Sequence, residues 1–526
     1  MEEETMRYGI FSANEWLFPD SDTQAGEREI TLLAARNSFA CVQILLVGAD
    51  RLDFLWRSEE FPGSPEIYSL LPVLVKENTG EGGYTVPQGT DAPYTTRPAP
   101  FFVYDAMEPV VDTAQAPEKD GVIALYLKFP TADAEAGCYH GEFVVGDQSI
   151  AATITVSPAV VPEAETLRLT NWYSLENMAT YHGVEIWSEE HWRYIEEYGR
   201  IMRRSRQTDF IVPYSLASYQ KIDGRYRFDF SKTERFIRLF FSLGFRYVEG
   251  GPLLEREYWG DDHFAVNING TYHQALSEEA YIFMQGYFTG LYASMQRNGW
   301  LDKVTQHVGD EPHPQCAGEY RILSGMIRKW MPGVPIIEAL GMIDLDGAVD
   351  IWVPKSDSFS VQLEAYEKKR RNGDILWYYT CCSPGGRYLN RLLDFELLRT
   401  RYLHWANLVF RLPGYLHWGL NYWQFTDDPF KGEPGVISNM NSAALPCGDS
   451  HIVYPLGDKV LGSVRLEMMR AGAEDYELLS LLGSFDSVAA ERLLKQCVRS
   501  FTDYTVDPDV FESTYAKLLE EVGRIQ

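Results

Sequence analysis

Basic residues are scarce in this chain. Its 526 residues hold 47 lysines and arginines against 75 aspartates and glutamates, a formal net charge of −28. That deficit argues against nucleic acid or an anionic membrane surface as the main partner. Cysteine is sparse and odd in number, with seven at positions 41, 138, 316, 381, 382, 447 and 497. The adjacent Cys381 and Cys382 suit a structural disulfide poorly, no base partner for a thiol nucleophile stands near them, and no CxxC pair points to zinc. No run approaches the ~18–20 apolar residues that span a bilayer. The start, MEEETMRYGIF, lacks the basic segment and apolar run of a signal peptide, so a reducing cytoplasm is expected. Three catalytic signatures are missing too: no GxGxxG opens a helix, and neither HExxH nor GxSxG occurs. Dinucleotide chemistry, phosphoryl transfer and serine hydrolysis therefore have no support, and neither metal nor cofactor is expected.

What is present is an ordinary globular composition on a chain too long for one core, which predicts a multidomain α/β protein. Residues 1–160 alternate short apolar runs such as FACVQILLVGA, GVIALYLKF and SIAATITVS with Gly, Pro and Asp clusters, the pattern of an N-terminal β-sandwich. VSPAVVPEAE, at 156–165, reads as a linker. Residues 165–480 then alternate strands with helices. The strands are LRLTNWY, DFIVPY, FRYVEGG, KVTQHVG, VPIIEALG, DIWVP, DILWYYTCC and GYLHWGLNYW. In the helix SKTERFIRLFFSLG, Ser231 and Glu234 fit a capping box and Gly244 a C-terminal stop. Eight β/α repeats over about 300 residues predict a central (β/α)8 TIM barrel, with a doubly wound open sheet as the alternative. Residues 481–526 continue as a C-terminal helical segment.

A barrel places its active site just past the C-terminal ends of its strands. Those positions hold Asn171, Glu249, His307, Asp310, Glu311, Tyr379, Trp418, Asn421 and Trp423. Carboxylates, amides and aromatics are what a sugar site needs, since rings stack on pyranose C–H faces and polar groups bind hydroxyls. Each has a plainer reading as well. His307 could be a buried barrel histidine, Glu249 a buried ion-pair partner, Asn171 and Asn421 caps, Trp418 and Trp423 core. Asp449 and Tyr454 could edge the site, whereas Arg387 and Asn390 fit a structural loop.

In HVGDEPHP (307–314), Pro312 disfavours a helix at Glu311, so a strand ends in a turn carrying two acids. Neighbouring residues are about 3.8 Å apart at Cα and in extended chain point to opposite sides. Such a pair can hardly straddle a sugar ring with the gap that inversion by two carboxylates requires. It suits an arrangement in which one acid protonates the glycosidic oxygen and the other steadies a substrate acetamido group that attacks the anomeric carbon.

The segments HVGDEPH, YYTCCSPGGRYLNRLLDFELLRTRYLHWANL, GYLHWGLNYW, GDSHIVYP and VRLEMMRAGAEDYELL, in this order, resemble glycoside hydrolase family 123 and its relatives over roughly residues 165–485. Members are β-N-acetylgalactosaminidases, some acting on glycosphingolipid glycans. The resemblance implies Glu311 as general acid/base and Asp310 as stabiliser of an oxazolinium intermediate. It implies a retaining exo-enzyme whose partner is a carbohydrate with a terminal β-linked N-acetylgalactosamine. Tyr379, Trp418, Trp423, Asn421, Asn171, His307 and Glu249 are the expected substrate contacts. A β-N-acetylglucosaminidase or dual hexosaminidase, and a non-catalytic glycan-binding protein, are the alternatives. A homo-oligomer is compatible with the sequence.

Overall fold

A computed structural model describes residues 6–116, 121–426, 428–431, 436–437 and 443–526. The N-terminal region is built of two sheets. One has seven strands in the order Arg7–Ser12, Phe39–Val47, Val122–Pro130, Glu66–Val75, Phe101–Val110, Lys459–Ser463 and Tyr454–Leu456. The other orders Ile30–Arg36, Gln148–Val160, Gly137–Val145, Arg51–Arg57 and Thr113–Gln115. Ile44 and Leu125 of the first meet Phe143, Ile150 and Ile154 of the second in one buried core. The outer face of the first sheet is covered as well. Leu45, Tyr104, Met107 and Tyr126 pack against Val464 and Met468 of the helix Val464–Phe485. With both faces covered, a strand such as Val122–Pro130 reads as a continuous apolar run, because neither side meets water.

Two strands of this sheet, at 454–463, lie inside the stretch expected to complete the barrel. Lys459–Ser463 pairs antiparallel with Phe101–Val110, so the chain returns to its N-terminal region before the C-terminal helices. The last helix, Pro508–Ile525, lies on the strand Gln148–Val160, and Gln526 exchanges two hydrogen bonds with the Val160 backbone at 2.6 and 2.9 Å.

Between these parts stand eight short strands: Arg168–Asn171, Asp209–Val212, Tyr247–Gly250, Val304–Gln306, Ile337–Leu340, Ile351–Pro354, a seventh in two pieces (Ile375–Leu376 and Tyr378–Tyr379), and Gly414–His417. All pair in parallel. The second, third and fourth are consecutive neighbours, and so are the fifth, sixth and seventh. Gln306 bridges to Ile336 between the fourth and fifth, and Lys355 to Tyr379 between the sixth and seventh. The eighth lies between the seventh and the first, while the Thr208 amide donates to the Leu169 carbonyl beside the second. The order thus runs round in a ring. Helices follow the first four strands and the sixth and seventh, among them Glu189–Arg204, Ser231–Ser242, Glu278–Asn298, Ala317–Trp330, Leu363–Arg371 and Leu398–Val409. Residues 341–350, in contrast, join the fifth strand to the sixth without a helix, so the expected eight β/α repeats are not all present.

The capping box does not form. Phe230 occupies the N-cap of Ser231–Ser242, and the Ser231 hydroxyl donates instead to Asp229 at 2.5 Å. Glu234 turns sideways to accept from Ser294 and Arg238. Gly244 does close this helix in the left-handed region, at φ +96°.

Candidate active site

The fourth strand delivers the acid pair through a tightly held turn. Glu338, buried in the middle of the fifth strand, accepts the backbone N–H groups of Val308 and Gly309 at 2.9 and 3.1 Å and the Tyr320 hydroxyl at 2.9 Å. Gly309 is needed at its place, because a Cβ there would come within 2.6 Å of the Phe264 ring. Glu311 then adopts φ +45°, in the left-handed region that a non-glycine residue enters at a cost of order 1 kcal/mol. Its N–H reaches the Ala339 carbonyl at 3.2 Å. The kink sends the two carboxylates apart.

Glu311 faces an open cleft of about 870 Å³, and its Oε1 accepts a short hydrogen bond from the Tyr379 hydroxyl. Lys355, Arg256, Trp259, Met342 and Gln362 line the rest of that cleft. Asp310 turns inward, and its Oδ1 is buried with no hydrogen-bond partner among the described residues. Burial pushes its carboxyl well above the ordinary range, helped by the negative charges of Glu311 and Glu338 and opposed by His307 and Arg256.

Beneath the pair lies a charged network. His307 is held between Glu249, 2.7 Å from Nε2, and Glu338, 2.8 Å from Nδ1. Burial disfavours its charge, yet the two carboxylates prevail and raise its pKa to about 10. Glu249 is occupied on every side, because Trp172 Nε1 and Thr170 Oγ1 also donate to it, at 2.8 and 2.7 Å. His307 and Glu249 therefore do not reach the cleft. They support it from below.

Three other expected contacts are internal too. Asn171 is fully buried between Gln207 and Arg391. Asn421 bonds the Ser174 N–H and C=O at 2.8 and 3.0 Å, joining the loop after the eighth strand to the first. Trp423 is buried against Tyr181 and Tyr198 and donates to the Val453 carbonyl. Trp418 is half-buried, its ring 5.2 Å from that of Tyr422. Of the expected contacts, Tyr379 alone joins Glu311 as a lining residue of the cleft.

Lys355 follows DIWVP directly and meets the same strand-end argument, yet it is not among the expected contacts. Nor is Glu338, whose signal in the sequence is a lone acid inside the apolar VPIIEALG. Arg256 and Trp259 sit in the long excursion after the third strand, where no local pattern marks them. There the Arg256 guanidinium lies 4.4 Å over the Trp259 ring and donates to the Asp310 carbonyl at 3.3 Å. Among the described residues, no cluster of three or more His, Cys, Asp or Glu side chains is arranged to hold a metal.

Residues 172–482 match glycoside hydrolase 123, catalytic domain. Among solved structures, a family 123 glycoside hydrolase from Clostridium perfringens, described for glycolipid glycan hydrolysis, has a TM-score of 0.74 at 13% identity. That likeness covers 99% of this chain and 98% of that one. The CBM22-1–GH10 modules of Clostridium thermocellum xylanase 10B give 0.34 at 9% identity, covering 88% of this chain and 94% of that one. An exo-β-1,4-mannosidase from Opitutaceae bacterium strain TAV5 gives 0.38 at 12%, covering 60% of each. These last two are too distant to bear on function. No curated protein matches the chain. The family match spans more than half of the sequence: this chain belongs to glycoside hydrolase family 123.

Proposed function

We propose that this protein is a retaining exo-β-N-acetylgalactosaminidase that works by substrate-assisted catalysis, and that its ring of eight strands is a (β/α)8 barrel. The observation that supports this reading is the divergence of the acid pair. Glu311 faces the cleft beside Tyr379, while its neighbour Asp310 is half-buried, with Oδ1 turned inside and without a hydrogen-bond partner among the described residues. That division of labour suits one acid for the leaving group and another for the acetamido group.

Burial favours the proton on Asp310, and Glu311 accepts the Tyr379 hydroxyl. An arriving acetamido group presents its N–H to Asp310 and gains positive charge as its oxygen closes on the anomeric carbon. That charge favours the Asp310 carboxylate, so the proton serves at Glu311, which passes it to the glycosidic oxygen as the C–O bond breaks. Tyr379, released from Glu311, can donate to the acetamido oxygen. Water, deprotonated by Glu311, then opens the oxazolinium at the same face from which the aglycone left, and two inversions give retention. The His307 imidazolium below keeps the turn in place and offsets the negative charge of the pair.

A panel of chromogenic β-glycosides tests the reading. The N-acetylgalactosaminide should be cleaved and the plain galactoside, which lacks the nucleophile, should not. Efficient galactoside hydrolysis would overturn the mechanism, and faster cleavage of the N-acetylglucosaminide would reassign the sugar. A thiazoline analogue of N-acetylgalactosamine should inhibit competitively and far more tightly than the free sugar, because it resembles the cyclic intermediate.

A further inference from the structure

Beyond Glu311 the cleft continues along segments that follow the third, fifth and sixth strands. Arg256 and Trp259 enter it from the excursion after the third, Met342 from the join between the fifth and sixth, and Lys355 and Gln362 from beyond the sixth. Ligand sites commonly run from about 300 to 1,000 Å³, so a cleft of about 870 Å³ has room for more than one sugar ring. Asp310 does not line it.

Two cations border this space with little to neutralise them. Among the described residues no carboxylate pairs with the Arg256 guanidinium. It donates to the Asp310 carbonyl at 3.3 Å, a long contact, and lies 4.4 Å over the Trp259 ring. Lys355 Nζ stands 3.6 Å from Asp357 and 3.4 Å from the Ser383 hydroxyl, both beyond a good hydrogen bond. The carboxylates along the cleft are engaged elsewhere: Asp262 pairs with His263 at 3.1 Å, Asp344 with Arg321 at 2.9 Å, and Glu311 accepts from Tyr379. In a chain of net charge −28, the overall field repels anions, and free cations act over a screening length of about 10 Å at 0.1 M salt. A pair of cations left unpaired in a carbohydrate cleft therefore points to an anion brought by the substrate.

We propose that this outer part of the cleft is an aglycone subsite for an acidic glycan, in which Arg256 and Lys355 bind a sulfate ester or a carboxylate on the sugar next to the one removed. Asp310 holds the terminal sugar on the inner side of Glu311, so the cleft on the outer side receives the leaving group that Glu311 protonates. Stacking on Trp259 fixes the guanidinium plane, and its remaining N–H groups form a fork that matches two oxygens of either anion. Lys355 adds a point charge without that directionality. The inference rests on the glycosidase reading above and names its substrate class.

The first experiment takes the wild-type full chain and three oligosaccharides ending in the same β-N-acetylgalactosamine, whose penultimate sugar is neutral, sulfated or a uronic acid. At low salt, kcat/KM should favour an acidic substrate over the neutral one by about tenfold, and the preference should shrink toward one as salt rises to about 0.5 M. The acidic substrate that leads identifies the anion. Equal or lower kcat/KM on both acidic substrates would overturn the subsite. Arg256→Gln and Lys355→Gln, made separately, should each reduce the acidic-to-neutral ratio. An effect of either residue on the acid pair falls on all three substrates and cancels in that ratio, so a ratio that survives either change would overturn the proposal.

The second experiment reads binding without turnover, by calorimetry of Glu311→Gln with the same oligosaccharides. The acidic compound should bind more tightly, and adding Arg256→Gln should remove the difference. If the wild type cleaves none of the three while this binding preference holds, the glycosidase reading falls and the anion site stands. Equal affinity for neutral and acidic compounds would overturn the site whatever the turnover.

Discussion

Glu311 is held in a left-handed conformation by the Ala339 carbonyl, the following proline and Tyr379. A glutamine there keeps the shape and loses the proton. Glu311→Gln should lower hydrolysis of substrates with poor leaving groups by roughly 10²–10⁴-fold, and of aryl glycosides with acidic phenols by much less. Equal loss on both, measured as kcat/KM, would remove the general-acid role. Asp310→Asn should instead impair all acetamido substrates, whichever alcohol leaves, and weaken the thiazoline analogue more than the free sugar. Near-normal turnover in that variant would remove the stabiliser role. His307 gives a pH signature. Its pKa is raised to about 10 in the folded chain, so its contribution is fully present below the unfolded value of about 6.5. It is lost as the pH climbs through about 10. His307→Gln leaves Glu249 and Glu338 buried without their cation and should cost about 3–5 kcal/mol at neutral pH. The gap from wild type in urea midpoints should narrow as the pH approaches 10; a constant gap would mean that His307 is neutral.

Among the elements, one side chain reinforces the join between the loop after the eighth strand and the loop after the first, beside the backbone bond from the Leu420 N–H to the Trp172 carbonyl. Asn421 substitutes for a strand neighbour by pairing with both backbone groups of Ser174, the residue that also caps the helix Leu175–Tyr181. Asn421→Ala leaves a buried N–H and C=O without partners, and should destabilise the protein by about 1–3 kcal/mol. Urea unfolding monitored by fluorescence measures this. A shift below a few tenths of a kcal/mol would show that the join is held elsewhere. The strand-end rule pointed to Asn421 as a ligand contact, and the same polarity proves to serve closure of the ring.

On the scale of the whole molecule, the parts interlock through buried charge. Asp105, in a strand of the N-terminal sheet, accepts from the Tyr454 hydroxyl at 2.6 Å and from Arg465 Nε at 2.9 Å. Arg465 in turn donates to the carbonyls of Arg391, Gly448 and His451. One guanidinium thus connects the sheet, the loops after the seventh and eighth strands, and the C-terminal helices. Asp105→Ala strands that cation in the interior and should cost about 3–5 kcal/mol. Calorimetry of the wild-type chain should show one cooperative transition. A separate early transition for the N-terminal region would contradict the interlock.

Local pattern by itself determined the eight strand segments, most of the helices between them and the acid pair at the end of the fourth, and the motifs carried the resemblance to family 123. These are legible because hydrophobic period, turn residues and a run of adjacent motifs are properties of neighbours in the chain. Which strand-end side chains face the cleft was decided only in three dimensions. The ring strands have at most four residues, too few for alternation to tell a lining group such as Tyr379 from an internal one such as Asn171 or Glu249. The return of 454–463 to the first sheet and the clasp of Glu338 and Glu249 on His307 likewise join residues far apart in sequence. The capping box failed for the same reason at short range, because Asp229 and Ser294 offered Ser231 and Glu234 better partners than each other. Local propensity proposes each element, and the pairing energy of distant groups decides which side chains remain free to meet a substrate.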